Sequence, residues 1–387
     1  MSDVASVVGR KPWAERLATL ALFAAHGFGI GAWAATIPFL KARFSLTDGS
    51  LSYVLLAMAV GGVLAMPPAG LVTQRLGSGT ATRLMGLWLA TTLMLPVTAP
   101  TPALLALACF LLGTAVGGLD VTMNVHASTV EQRWGSAIMS SFHAGWSIGA
   151  LLGATVSSAV LALGVQASWL LPSAGLLVAA LTLAAYSTLS DVSAATRGPM
   201  FSLPTRAAVP LCLAVLLALL CEHAVIDWSN VYLTTKAAAT PALGATGFAV
   251  FAGAMLVSRI FGDTVVRAVG RPRVVQLGAI MAACGLLLVA ALPMQLTCLI
   301  GFAIAGFGLA NAVPALFSAV GSLQASPGVG VAMAATSGYT GFMIGPPILG
   351  GIAANFGLQA AMAFAALCTA AIAILSLGMS RSAPAAA

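Results

Sequence analysis

VVQLGAIMAACGLLLVAALPMQLTCLIGFAIAGFGLANAVPALFSAVGSLQASPGVGVAMAATSGYTGFMIGPPILGGIAANFGLQAAMAFAALCTAAIAILSLGMS, residues 274–380, contains no Lys, Arg, Asp or Glu. A helix needs only about 20 apolar residues to cross a bilayer, so this run must turn back on itself several times. The breaks are legible: Pro293 with Gln295, the stretch from Ser322 to Gly330 with Pro327, and Asn355 to Gly357.

The rest of the chain reads the same way. Of 387 residues, 60% are hydrophobic and 6% charged, and the mean hydropathy is +1.03. A soluble globule carries about a quarter charged residues, so this chain requires lipid around it. The apolar segments predict twelve spans at 17–39, 50–73, 82–99, 102–126, 137–162, 168–188, 207–233, 243–267, 273–292, 296–319, 330–354 and 358–379. They are continuously apolar rather than alternating with period two, which selects helices over a barrel.

Basic residues mark orientation, because cytoplasmic loops retain Lys and Arg. With the N-terminus inside, Arg10, Lys11, Arg16, Arg75, Arg83, Arg133, Arg197, Arg206, Arg259, Arg267, Arg271, Arg273 and Arg381 fall on or near the inner face. Lys41, Arg43 and Lys236 fall outside. Both termini are therefore expected in the cytoplasm. The net charge of +7 is an orientation signal and implies no nucleic-acid partner, since its residues are scattered over loops. The first apolar run is a full span, not the short core of a cleavable signal. The six cysteines lie inside apolar segments without paired spacing and read as packing residues, with no metal or cofactor expected. No residue pattern supports enzymatic chemistry.

An internal repeat divides the chain. Gly70, Arg75 and Gly86 recur as Gly262, Arg267 and Gly278 at a constant offset of 192 residues, close to half the length. The expected organisation is a six-helix bundle at 1–189, a cytoplasmic linker at 190–206 and a second six-helix bundle at 207–387.

An ionisable group in hydrocarbon normally faces a bundle interior or a water-filled cavity. The third span of each triplet has no acidic residue and no His, as suits a helix facing lipid. The first span of each triplet carries polarity: His26 and Trp33 in span 1, Asp120 and Asn124 in span 4, Glu222, His223, Asp227, Trp228 and Asn230 in span 7, and Asn311 in span 10. His143 adds an imidazole in span 5. Asp120 with Asn124, and His223 with Asp227, are i, i+4 neighbours on one helical face. These residues are the candidate solute ligands, or alternatively polar links between helices. A carboxyl group that alternates between wet and closed surroundings can take up and release a proton, which makes Asp120, Glu222 and Asp227 the candidate proton-coupling residues.

The loop after span 2, Gly70-Leu71-Val72-Thr73-Gln74-Arg75-Leu76-Gly77, and its second copy around Arg259, Gly262, Asp263 and Arg267 resemble the cytoplasmic loop motif of the major facilitator superfamily. The resemblance implies an all-α membrane protein of twelve transmembrane helices in two pseudo-symmetric six-helix bundles. It also implies that these loops clamp the halves through charge pairs. Gln74 replaces the acid of the first copy, so Asp263 with Arg259 and Arg267 is the expected clamp. Asp120-Val121-Thr122-Met123-Asn124, Met139 to Gly149 and Asp227-Trp228-Ser229 are similar to the fucose-permease-like branch of bacterial sugar transporters. In that branch the carboxylate matching Asp120 is implicated in proton coupling. The implied function is proton-coupled uptake of a small polar solute such as a sugar, by a monomer in the bacterial inner membrane. The competing reading is a drug or metabolite/proton antiporter. Against it, Gly149-Ala150-Leu151-Leu152-Gly153 lacks the proline of the antiporter bend, and Gly345-Pro346-Pro347 sits on span 11 instead.

Overall fold

Each of the twelve predicted spans is occupied by helix. The computed structural model describes residues 13–135, 138–191, 203–323 and 327–381. Outside them lie Arg10, Lys11, Arg197 and linker residues 192–202, and the side chains of Asp263 and Arg381 are likewise not described. The helices are α1 (Trp13–Arg43), α2 (Asp48–Leu76), α3 (Ser78–Thr92), α4 (Leu95–Thr98), α5 (Pro102–Trp134), α6 (Met139–Ala162) and α7 (Leu170–Ala184) in the first half. The second half holds α8 (Val209–Thr235), α9 (Pro241–Val269), α10 (Arg271–Ala291), α11 (Gln295–Leu309), α12 (Ala312–Ser322), α13 (Pro327–Phe356) and α14 (Leu358–Leu375).

Two expected spans are not single helices. The third is divided between α3 and α4 at Leu93–Met94, ahead of Pro96. The tenth is divided between α11 and α12 at Ala310–Asn311. Pro314 has no N–H to offer the carbonyl four residues back, and that carbonyl is Ala310's. Arg259 Nε donates to it instead, at 3.3 Å.

The helices pack as two sets related by the internal repeat. In the first half α1 packs on α6, α2 on α5, and α7 on α1 and α3; in the second, α8 packs on α13, α9 on α11, and α14 on α8 and α10. The halves meet along two equivalent seams, α6 on α9 and α2 on α13, with α1 against α8 between them. Large apolar side chains such as Leu84 and Trp88 on α3, Leu176 and Leu183 on α7, Leu277 and Leu287 on α10 and Leu367 and Ile374 on α14 are exposed. Without water on that belt, exposure of apolar groups is no penalty, and these third-of-triplet helices form the lipid-facing surface.

Where no hydrophobic force separates helix from lipid, close backbone approach holds helices together. On the α1–α6 seam, a Cβ at Gly27 would meet the Trp146 carbonyl, and one at Gly149 the Ala24 carbonyl. Gly31 and Gly153 repeat the arrangement one turn on.

The face carrying the Trp13 end of α1 is stitched to the start of the linker. Gly77 (φ +86°) precedes α3 and has no side chain to cap it. The Asp191 carboxylate supplies the cap, accepting from Thr80 N at 2.6 Å and Thr80 Oγ1 at 2.7 Å and pairing with Arg83 at 3.1 Å. An anion at a helix N-terminus is favoured by the unpaired N–H groups there. Burial acts to raise the Asp191 carboxyl, but the Thr80 and Arg83 contacts outweigh it and hold it below its usual value. A depressed acid stabilises the fold above its unfolded pKa of about 3.9 and loses that contribution as pH falls through its folded value. Asp191→Asn is expected to lower the thermal midpoint by a few degrees at pH 7. The gap from wild type should close as the pH falls below about 4, measured by thermal melts of detergent-solubilised protein. His126 is fully buried, 3.3 Å from Glu15 and 3.0 Å from Ser78 Oγ. Glu15 also accepts from Arg133 and Ser190, both at 2.6 Å.

Candidate functional site

Asp120 lies near the middle of α5 and Glu222 at the middle of α8, so each half places one carboxylate at mid-depth. The Asp120 side chain is held on both oxygens. Asn124 Nδ2, one turn on, donates to Oδ1 at 3.2 Å, and Tyr339 Oη on α13 donates to Oδ2 at 3.1 Å. The second bond crosses from one half to the other. Glu222 lines a small cleft together with Trp146 and Ser147 of α6 and Phe248, Phe251, Ala252 and Met255 of α9. The cleft therefore lies between the halves, walled by aromatic rings and a thioether with one acid and one hydroxyl.

Arg259 stands beside that cleft. Its Nη1 donates to Ser147 Oγ across the halves at 2.7 Å, while Nε is held by the Ala310 carbonyl. The bent α11–α12 segment is fixed to α9 by Asn311, whose Nδ2 donates to Ser258 O at 3.2 Å and Ser258 Oγ at 3.1 Å. Asn311 lies against Gly262, where a Cβ would displace it. His143, an exposed residue of α6, is edge-on to Phe23 at 5.5 Å and feels the Arg259 charge. His26 is 4% exposed, has neither ring nitrogen bonded among the described residues, and stands edge-on to Trp146 at 6.3 Å.

The other sequence candidates are placed differently. Trp33 and Trp228 are 2% and 1% exposed, packed among helices, so in this conformation neither ring faces a solute path. Asn230 is fully buried and accepts from Phe248 N at 3.1 Å, which ties α8 to α9. His223 bonds the Leu219 carbonyl at 2.9 Å and lies 4.2 Å from the Phe342 ring. Asp227 is buried beside Trp33, whose indole N–H falls short of hydrogen-bond geometry, and near Cys109. It sits toward the far face, a turn and more from Glu222. Of the expected clamp, Arg75 is exposed with no bond among the described residues, Gly70 is buried, and Arg267 bonds Thr264 on its own helix at 3.2 Å. Arg259 is not directed at the loop. Its reach to Ser147 moves it from the clamp to the interface between halves, because the carbonyl freed by Pro314 fixes its stem there.

The residues that sequence reasoning left out of the site are Tyr339, Ser147, Phe248, Phe251 and Met255. Tyr339 had a usable signal: a phenol in the middle of an apolar span, flanked by Gly338 and Gly341, must find an acceptor within the protein. Ser147→Ala removes the acceptor for Arg259 while keeping the packing. It is expected to lower the thermal midpoint of the detergent-solubilised protein by a few degrees without lowering the yield of folded protein, checked by thermal melt against size-exclusion profile.

Contacts between the halves extend to the face opposite Trp13. There Ser158 Oγ donates to the Ala242 carbonyl at 2.8 Å, Gly49 sits against Ala354, and Gly350 against Ser52.

The arrangement has known counterparts. The family model described as Major Facilitator Superfamily matches residues 19–338. An uncharacterized MFS-type transporter of Yersinia pestis is 36% identical over 91% of this chain and 92% of its own length. The membrane protein MosC of Rhizobium meliloti is 31% identical over 88% of this chain and 84% of its own. Among solved structures, a point mutant of the nucleoside transporter NupG superposes with a TM-score of 0.74 at 15% identity, covering 93% of this chain and 98% of that one; at that identity the likeness is one of fold. With two six-helix halves, a cleft between them and a family match spanning both, the chain belongs to the major facilitator superfamily of membrane transporters.

Proposed function

We propose that the protein carries a small polar solute such as a sugar across the bacterial inner membrane by alternating access, coupled to protons, as the fucose-permease-like branch does. The observation that carries this reading is the pair of mid-depth carboxylates, Asp120 and Glu222, one on each half and both at the interface between halves. A carboxyl at that depth is tolerated where it is partnered and wetted, and a group whose surroundings change with each cycle changes its proton affinity. Glu222, in the cleft with Trp146 and Ser147, is suited to meet solute hydroxyls. Trp146 offers the stacking surface that Trp33 and Trp228 do not. With both termini cytoplasmic, the Ser158–Ala242 contact lies on the outer face and the conformation described is closed to the outside.

The test is proteoliposomes containing a pH-sensitive dye, screened against sugars and organic acids for solute-driven proton entry. Glu222→Gln is expected to lower solute-driven flux by about tenfold or more, through lost binding and coupling together. Solute-driven proton flux that survives in both Asp120→Asn and Glu222→Gln would remove the basis of the reading. Solute entry that alkalinises the interior, or exit driven by an inward proton gradient, would favour the antiporter instead.

A further inference from the structure

We infer that Tyr339 is the positioning residue through which the ionisation of Asp120 controls the relation between the two halves. The inference rests on the reading of Asp120 as a proton site and goes one step beyond it. Asp120 Oδ1 is taken by Asn124 from its own helix, which leaves Oδ2 as the oxygen facing the other half, and Oδ2 accepts from Tyr339 Oη. A proton arriving at Asp120 therefore competes with the tyrosine for one atom. In the ionised state the bond is charge-assisted, roughly twice as strong as a neutral one. When Oδ2 binds the proton, the carboxyl becomes a neutral acid, the phenol keeps its own proton, and the bond weakens. No other atom need change hands.

Geometry makes this bond consequential. It links α5 to α13, elements of different halves, at mid-depth, beside the α2–α13 seam where Gly62 lies against Phe342. The halves cannot rock apart along that seam without parting it. The charged surroundings are simple: among the described residues, Tyr339 and Asn124 are the polar groups acting on Asp120. Among the described residues, no other ionisable group on the packed elements bonds Asp120. On α2, Asp48 pairs with Lys41 of α1 and Arg75 is exposed; on α3, Arg83 pairs with Asp191; on α5 itself, His126 meets Glu15, and Glu131 caps the start of α6. On α1, His26 faces Trp146; on α8, Glu222 faces the α6–α9 cleft, His223 bonds the Leu219 carbonyl and lies against Phe342 of α13, and Asp227 is buried near Cys109 of α5.

The measurement needs no solute. Spin labels at Gln74 on α2 and Val265 on α9, both exposed, report the separation of the halves on the Trp13 face by pulsed electron resonance. The full-length protein is labelled with the exposed Cys284 replaced by Ser. The wild-type distance distribution is expected to change with pH, the conformation described here being favoured at alkaline pH. Tyr339→Phe keeps the ring and deletes the donor, and is expected to move the midpoint to higher pH by about one unit, a tenfold change in the population ratio. A 3-fluorotyrosine at position 339, a stronger donor of nearly the same shape, is expected to move it to lower pH, and serves if the phenylalanine variant folds poorly. Asp120→Asn is expected to make the distribution insensitive to pH, and Tyr339→Phe to add no pH dependence in that background. An unmoved midpoint in both tyrosine variants, with Asp120→Asn insensitive to pH, would overturn the role of Tyr339 and leave Asp120 as the proton site. A pH response that persists in Asp120→Asn would overturn the proton-site reading itself.

Discussion

Solute-driven proton entry is expected to fall about a hundredfold or more in the Asp120→Asn variant, while counterflow of the solute identified by the screen persists. The substitution is nearly isosteric. An Asn side-chain oxygen still accepts from Tyr339, and packing around Gly117 and Gly118 on α5 is unchanged. What disappears is the ability to change charge. Asp120 is 18 residues from the start of α5 and 14 from its end, or ~27 and ~21 Å at 1.5 Å per residue. A substitute proton carrier would therefore have to be another group at the same depth. Glu222 is on the opposite half and His26 is enclosed, so neither occupies the same position. The dye-loaded liposome assay, run beside counterflow at equal internal and external pH, separates loss of coupling from loss of binding. Equal loss in both assays would make Asp120 a solute ligand rather than a proton site.

Gly149→Val is expected to destroy the first half's fold. The added Cβ would be driven into the Ala24 carbonyl, a backbone atom that no rotamer change can move, and the matching contacts at Gly27, Gly31 and Gly153 leave α1 no slack to shift along the seam. Overpacking commonly costs about 1–3 kcal/mol, and a backbone clash repeated over two turns sits at the top of that range or above. For a fold only about 5–15 kcal/mol stable, the expected readout is loss of monodisperse protein on size exclusion and of a cooperative thermal transition. Gly351→Ala on α13, where a Cβ would meet nothing within 4 Å, is the matched control and should behave as wild type. A well-folded Gly149→Val would show that α1 and α6 do not hold each other by backbone contact.

Much of this architecture was legible before any coordinates. Charge-free length forces repeated crossing, the 192-residue offset divides the chain, and the polarity of every third span marks which helices approach the centre. Asp120, Glu222, His26 and His143 are nominated that way, because an ionisable group in lipid is conspicuous. The two broken spans were not, since proline in a membrane helix is sometimes only a kink, and whether Pro96 or Pro314 ends the helix depends on what takes up the freed carbonyl. For Pro314 the answer is Arg259, 55 residues earlier in the chain.

The sequence by itself therefore determined a membrane protein of twelve spans, its division into halves and the helices that carry ionisable groups, because the cost of charge in hydrocarbon writes those features into composition. Only the tertiary structure decided that Asp120 meets Tyr339, that Arg259 meets Ser147, and that Trp33, Trp228 and Asn230 lie buried among helices in the conformation described. In water a buried face differs from an exposed one by its hydrophobicity. In lipid both faces are apolar, so hydrophobic periodicity carries little information about direction, and which side of a helix looks into the cavity is settled by backbone contacts between glycines and by the few polar atoms that must find one another.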